Sequence, residues 1–425
     1  MENKVPEVLY IGYTWPEPEA TAAGVRTLQL LNFFKSLKYK ITLCSAAAKT
    51  PHSSSLEEYD IDCIAIKLNH DSFDKLIAEI NPAIVVFDRF LTEEYFGWRV
   101  ADRIPSAIRI LDTQDLHSLR HSREKALKKG TIFSPEFWQM QEITLRELAS
   151  IYRCDLSLVI SKFEMDWLKT YSSIDPSLLY YLPFVFDSPD AAQKNDIPDY
   201  VSRKDFCFVG NGKHSPNIDA INFLKEDIWP RIRNVLPEAN LHIYGAYFPK
   251  KIIDLHQPEE GFYIKGWVKN VGEVLQNIRV NLLPLRFGAG LKGKLFQAAS
   301  LGTPSVMTAM GAEGTPFAEL NNQLGTNPED LAEKAIRLYN EKGQWDEAKQ
   351  SGLKLLKDEF GKEGFHTALH NTLQDLYQNL DSHRHKNLTG RMLLHHTLGS
   401  SRYLSKWISL KQQMNQKGLD ESITG

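Results

Sequence analysis

Residues 282–308 read LLPLRFGAGLKGKLFQAASLGTPSVMT. Gly288 and Gly290 flank one alanine, and Arg286, Lys292 and Lys294 bring three cations to the same stretch. The apolar run ending at Leu285 reads as a strand. Residues 291–301 read as a helix stopped by Gly302, and Pro304 opens the next strand. The glycines therefore fall in a loop at a helix N-terminus. Free backbone N–H groups and the helix dipole attract anions there, and small residues let a ligand come close to the backbone. A diphosphate suits that combination. One Lys or Arg about 4 Å from a phosphate contributes ~4 kcal/mol at surface-like dielectric, before desolvation is subtracted. Without the cations, the same glycines would be a tight turn.

A second group of polar residues follows the run IRILDT (108–113): Asp112, Asp115, His117 and Arg120. A histidine exchanges protons near neutral pH, and a carboxylate beside it can orient the ring. Asp115 and His117 are the candidate catalytic pair, although His117 also reads as a plain surface histidine. Asp88-Arg89, ending AIVVFD (83–88), is either an acceptor contact or a structural ion pair. Gly24 lies where a turn after VLYIG (8–12) enters a helix. It would allow close approach of phosphate or sugar, or simply start a helix among small residues.

These residues need elements to hold them. Apolar runs at 8–12, 41–47, 61–68, 83–88, 108–113 and 156–161 alternate with helical patterns. Their continuity suits parallel strands covered on both faces. Ser134-Pro135 and a Ser161/Glu164 capping box start helices, and Asn81-Pro82 ends one. After a segment rich in Pro and Asp the pattern restarts with FCFVG (206–210). A Ser215-Pro216 helix start, a helix over 218–236, and strands at 241–245, 262–266, 280–285 and 304–308 follow. The expected architecture is α/β, with two Rossmann-like doubly wound parallel-sheet domains facing a central cleft. The division is 1–182 for the first domain, 183–204 for a linker, 205–360 for the second domain, and 361–425 for terminal helices and a basic tail.

Composition agrees. The chain has 425 residues with a net charge of −3, which allows two or three domains and argues against a nucleic-acid or general polyanion binder. No run approaches the ~18 apolar residues of a membrane span, and the N-terminus shows no signal-peptide core. Cys44, Cys63, Cys154 and Cys207 form no CxxC, which speaks against a disulfide framework or structural zinc and fits a reducing cytoplasm.

The ordered motifs resemble a family. GxGxxxKxxxA followed by LGTPSV is similar to the donor-binding segment of the glycosyl transferases group 1, which have the GT-B fold. FVGNGKHSPNIDAINFLKEDIWP (208–230), GWVKNVGEVL (266–275) and GAEG (311–314) resemble the opening, base loop and following loop of the family's C-terminal domain. PEATAAGVRTLQLLNFFKSL (18–37), ILDTQDLHSLR (110–120) and DLSLVISKFEMDWL (155–168) match its N-terminal half. The resemblance implies a glycosyltransferase that moves a sugar from a nucleotide-diphosphate donor to a cell-surface glycan or its lipid-linked precursor. It implies retention of configuration; the cations and helix N-terminus at the glycine loop make a divalent metal unnecessary, no DxD-type motif stands out as a metal site, and no cofactor beyond the nucleotide sugar is expected.

On matching positions it implies that Arg286 and Lys294 hold the diphosphate, with Lys292 assisting and Gly24, Gly288 and Gly290 lending close backbone approach. Gln297 replaces a Glu that accepts ribose hydroxyls, and Ala289 replaces the family's other Glu. A neutral bond contributes about 1 kcal/mol against roughly 1.5–3 for a charged one. Glu313 offers a carboxylate from the adjacent loop. The two departures motivate an alternative, a catalytically idle GT-B scaffold or partner protein. A dinucleotide oxidoreductase is disfavoured, because neither VLYIG nor FCFVG leads into GxGxxG. From His383 to Gly418 the chain has seven Lys or Arg and no acid. This tail reads either as helices packed back on the protein or as a peripheral contact with the inner face of a membrane.

Overall fold

The computed structural model describes residues 5–56, 59–185 and 197–423. Its first half is a seven-stranded parallel sheet. The strands are β1 (Glu7–Gly12), β2 (Lys40–Ser45), β3 (Asp62–Ala65), β4 (Ile84–Asp88), β5 (Ile108–Asp112), β6 (Leu156–Val159) and β7 (Leu179–Tyr181). They lie in the order β3-β2-β1-β4-β5-β6-β7. The second half has β8 (Lys204–Val209), β9 (Leu241–Tyr244), β10 (Phe262–Gly266), β11 (Ile278–Leu283), β12 (Ser305–Thr308) and β13 (Leu324–Gly325). Their order is β10-β9-β8-β11-β12-β13, again parallel. Each sheet reverses its winding beside its first strand, between β1 and β4 and between β8 and β11. Ligands of doubly wound sheets bind beyond the strand ends at such reversals.

The continuous apolar runs are explained by burial on both faces. All of β1 is buried. Leu9 and Ile11 pack with Val85, Phe87 and Trp138 on one side, while Val8 and Tyr10 pack with Phe33, Phe34 and Ile84 on the other. In the second domain Phe206, Phe208 and Val280 meet Ile221 and Trp229, and Cys207 and Val209 meet Leu275 on the opposite face.

Several expectations change. The short edge strands β7 and β13 were not foreseen. The helix expected over 218–236 is divided into Ser215–Phe223, a π-helical turn Leu224–Ile228, and Trp229–Val235. Pro230 has no N–H to donate and its ring crowds the carbonyl four residues earlier, so the ladder widens there. The Ser134 cap forms, with its hydroxyl accepting from the Phe137 amide at 3.2 Å. The Ser161/Glu164 capping box does not form. Both side chains face the second domain instead: a Cβ on Gly314 would lie 2.1 Å from the Ser161 hydroxyl, and Glu164 accepts from Gly290. Of the expected linker, 186–196 falls outside the described residues.

The chain then returns to its first domain. Helix Lys362–Lys386 inserts Leu369, Leu373 and Leu376 into the first core, and Arg384 grips Asp155 at 2.7 Å through two nitrogens. Helix Leu388–Ile423 lies on helices Arg89–Arg103 and Glu142–Arg153. Among the described residues, no helix is long and apolar enough to cross a membrane.

Candidate active site between the two sheets

The glycine loop follows β11 and leads into helix Gly293–Ser300. Gly290 has φ +64°, and a Cβ there would stand 2.8 Å from the Asp115 Cβ. Only glycine tolerates that contact, so the loop of the second domain rests against the polar strand end of the first. The first domain also grips the loop by its main chain. Arg123 Nη1 donates to the Gly288 carbonyl at 2.8 Å, and the Gly290 amide donates to Glu164 Oε1 at 2.8 Å. Nearby, a Cβ on Gly293 would lie 3.1 Å from the Ala22 Cβ. Two helices, Ala22–Ser36 and Gly293–Ser300, thus meet at their N-termini.

The three expected cations have different surroundings. Lys294, half-buried, donates to the Gln297 amide oxygen at 3.0 Å, and burial pulls its ammonium down to about 8. Lys292 turns back on its own loop, donating to the Gly290 carbonyl at 2.9 Å. Burial lowers its pKa; Glu313 opposes this and Arg123 reinforces it. Arg286 stands at the edge, where both its Nε and Nη2 reach Asp219, at 2.8 and 2.5 Å. Its guanidinium is therefore already paired.

Asp115 and His117 do come together, with His117 Nε2 3.1 Å from Asp115 Oδ1. Arg120 Nε holds the other oxygen at 2.7 Å. Burial pushes the Asp115 carboxyl up, but Arg120 and His117 outweigh it and hold it well below the usual carboxylate range. The Glu147 carboxylate receives the His117 and Ser118 amides, both at 2.9 Å, which fixes the start of this helix.

Two other sequence-predicted residues have local roles. A Cβ on Gly24 would fall 2.4 Å from the Glu17 carbonyl carbon, so its smallness lets the preceding turn pack against it. Glu313 gives both oxygens to Arg123, at 2.7 and 2.8 Å. Ala289 is buried in the apolar cluster of the first domain, where a carboxylate would lie among hydrocarbon. Asp88 and Arg89 form an ion pair at 2.9 Å, and the Tyr13 amide and Gln114 also hold Asp88.

Sequence reasoning missed Arg123, Glu164 and His214. Arg123 is buried and lies over the rings of Phe133 and Phe163. Glu164 is buried, and one of its oxygens has no hydrogen-bond partner among the described residues. Burial, then the Asp115 charge, raises it to about 8. Burial and the positive neighbours Arg120 and Lys292 lower His214 to about 4, so a neutral imidazole faces this cationic group. Glu164 lies inside SKFE, where its spacing read only as a capping box, and His214 lies inside GKHSPN, whose spacing marked only the helix start. A cavity of about 550 Å3 opens elsewhere, lined by Lys204, Asp205, His242, Tyr244, Lys269 and Glu273. It reaches the amino end of β8, away from the glycine loop.

Residues 203–341 match the family model described as glycosyl transferases group 1. No curated protein matches the chain. Among solved structures, sucrose-phosphate synthase from Thermosynechococcus elongatus is similar with a TM-score of 0.65 at 14% identity, covering 88% of this chain and 99% of that one. HepE of Anabaena, in complex with UDP and glucose, gives 0.63 at 11% identity, covering 87% and 100%. A glycosyltransferase from Rickettsia africae gives 0.61 at 11% identity, covering 88% and 100%. At such identities the likeness is one of fold, and it extends over both sheets.

Proposed function

We propose that this chain is a GT-B glycosyltransferase, residues 203–341 of which match the group 1 glycosyl transferase model, and that it moves a sugar from a nucleoside diphosphate to a glycan or a lipid-linked glycan precursor. The observation that carries the reading is Lys294. Its ammonium is half-buried, has a neutral amide oxygen for a partner, and is pulled down to about 8 by burial. A cation kept in that state is costly unless an anion joins it. The adjoining loop and helix N-terminus offer an anion its place.

In this reading the departing diphosphate is stabilised by Lys294 and the N-terminus of helix Gly293–Ser300, with Arg286 exchanging Asp219 for phosphate. Metal-free departure follows from that charge, and the departing phosphate assists attack from the same face, with retention. His117, oriented by Asp115, meets the acceptor, and closure of the two domains excludes water. The nucleotide sugar is a co-substrate, and no other cofactor is invoked. The Anabaena protein's UDP and glucose on this fold support a nucleotide-sugar donor. The acceptor is met at the inner face of a membrane, where the basic tail holds the protein peripherally.

Thermal unfolding with UDP, GDP and ADP tests the donor site. A ligand at ~100 times its dissociation constant stabilises by about 2.7 kcal/mol, and Lys294→Ala should remove that stabilisation. If no nucleotide stabilises the wild type and no nucleotide sugar is turned over, the idle GT-B partner motivated by Ala289 and Gln297 is the remaining account.

A further inference from the structure

The last helix, Leu388–Ile423, turns its small and large residues the opposite way from a helix that finishes a core. Its inward face is small and polar. Ser405 and Ser409 are buried, bonded to Arg99 Nη2 at 2.7 Å and to the Asn69 carbonyl at 2.6 Å. A Cβ on Gly390 would lie 2.0 Å from the Tyr152 carbonyl oxygen, so the helix backbone itself rests on the first domain. Its outward face is large and apolar. Tyr403, Trp407, Leu410 and Met414 recur every three to four residues, and each is more than half exposed, Tyr403 at 74% and Met414 at 72%. Met392 continues the same line.

We infer that this outward stripe is the face by which the protein docks on an anionic lipid surface. Charge selects that occupant. Lys406 and Lys411 are exposed beside the stripe, and the Lys411 ammonium lies 5.0 Å from the centre of the Trp407 ring. No acid occurs between His383 and Gly418. Two copies meeting through this stripe would bring lysines against lysines. Phosphate headgroups would instead neutralise them while Trp407 and Tyr403 settle at the depth their amphipathic rings prefer. The Ser405 and Ser409 bonds fix which side of the helix is presented, so the bilayer would orient the whole first domain. The inference rests on the membrane part of the proposed function and is independent of the chemistry at the glycine loop.

The test is co-sedimentation of the full chain with phosphatidylcholine vesicles, with and without phosphatidylglycerol. The wild type is compared with Trp407→Ser/Leu410→Ser and with Lys406→Glu/Lys411→Glu. The wild type should bind the anionic vesicles only, and each double variant should lose about tenfold in binding. Unchanged thermal unfolding shows that the variants still fold, and an unchanged stabilisation by nucleotide shows that the cleft is intact. If the Trp407/Leu410 variant binds as well as the wild type, the assigned face is wrong while membrane attachment stands. If the wild type binds no vesicle, both fail. A concentration-dependent dimer that this variant abolishes would make a second copy the occupant and overturn the inference.

Discussion

Glu164 in the first domain accepts a 2.8 Å hydrogen bond from the amide of Gly290 in the second. The same oxygen takes the Leu116 amide at 2.8 Å, and the other oxygen has no partner among the described residues. A backbone amide of the proposed diphosphate loop is thus engaged by a carboxyl across the cleft. Burial and the Asp115 charge raise Glu164 from 4.5 to about 8, against the pull of the two amides, which favour the charged form.

The first prediction follows from that raised pKa. Between pH 4.5 and 8 the folded chain keeps a proton that the unfolded chain has released. The stabilisation is therefore fully present below the lower value and is lost as pH rises through the upper one. Glu164→Gln is neutral at every pH and keeps an acceptor oxygen. Thermal unfolding at pH 6 and pH 9 should show the wild type losing at least ~1 kcal/mol more than the variant, since a tenfold difference in acidity between folded and unfolded chain corresponds to about 1.36 kcal/mol. Parallel losses in the two proteins would mean that Glu164 is charged throughout.

Arg123 makes the complementary grip. It reaches the Gly288 carbonyl and both Glu313 oxygens from a helix of the other domain. Removing one partner of a buried ion pair leaves the other uncompensated, at a cost of about 3 kcal/mol. Arg123→Ala should therefore favour an open arrangement. Small-angle scattering should give a larger radius of gyration for the variant, and the donor KM should rise more than kcat falls. A variant as compact as the wild type, with an unaltered KM, would show that the pair does not hold the domains together.

The sequence made the scaffold legible and hid the contacts between its halves. Runs such as VLYIG and FCFVG locate β1 and β8, because strands covered on both faces must be apolar at every position. The glycines ahead of Lys294 were legible for a similar reason, since few residues fit a loop against a helix start. Glu164 and Arg123 were not. Each sits on a helix whose local pattern satisfies an ordinary expectation, a capping box or a solvated charge. Their partners, Gly290 and Glu313, lie 126 and 190 residues away. Pairing at that separation depends on how two finished domains meet, and no local spacing encodes it. Arg286 shows the same limit, for its bidentate partner Asp219 lies on the helix after β8.

Lys294 supplies the last prediction, one in which stability and function move in opposite directions. Its folded pKa, about 8 against 10.5 in the unfolded chain, means that holding the charged form costs folding free energy at neutral pH. The cost shrinks as pH rises through 8 and disappears above 10.5. Lys294→Met keeps the stem and discards the charge. Without ligand it should melt higher than the wild type at pH 7, by about 1 kcal/mol or ~2 °C once solvent screening is allowed for. The difference should close near pH 10.5, where the wild-type lysine is also neutral. With a nucleoside diphosphate the order should reverse at pH 7, because only the wild type has a cation for the phosphates to meet. Calorimetric melting of both proteins with and without UDP, GDP and ADP reads all of these quantities. A methionine variant that melts lower than the wild type at pH 7 without ligand would show that Lys294 already has an anionic partner in the folded chain, and the diphosphate seat would have to be sought elsewhere.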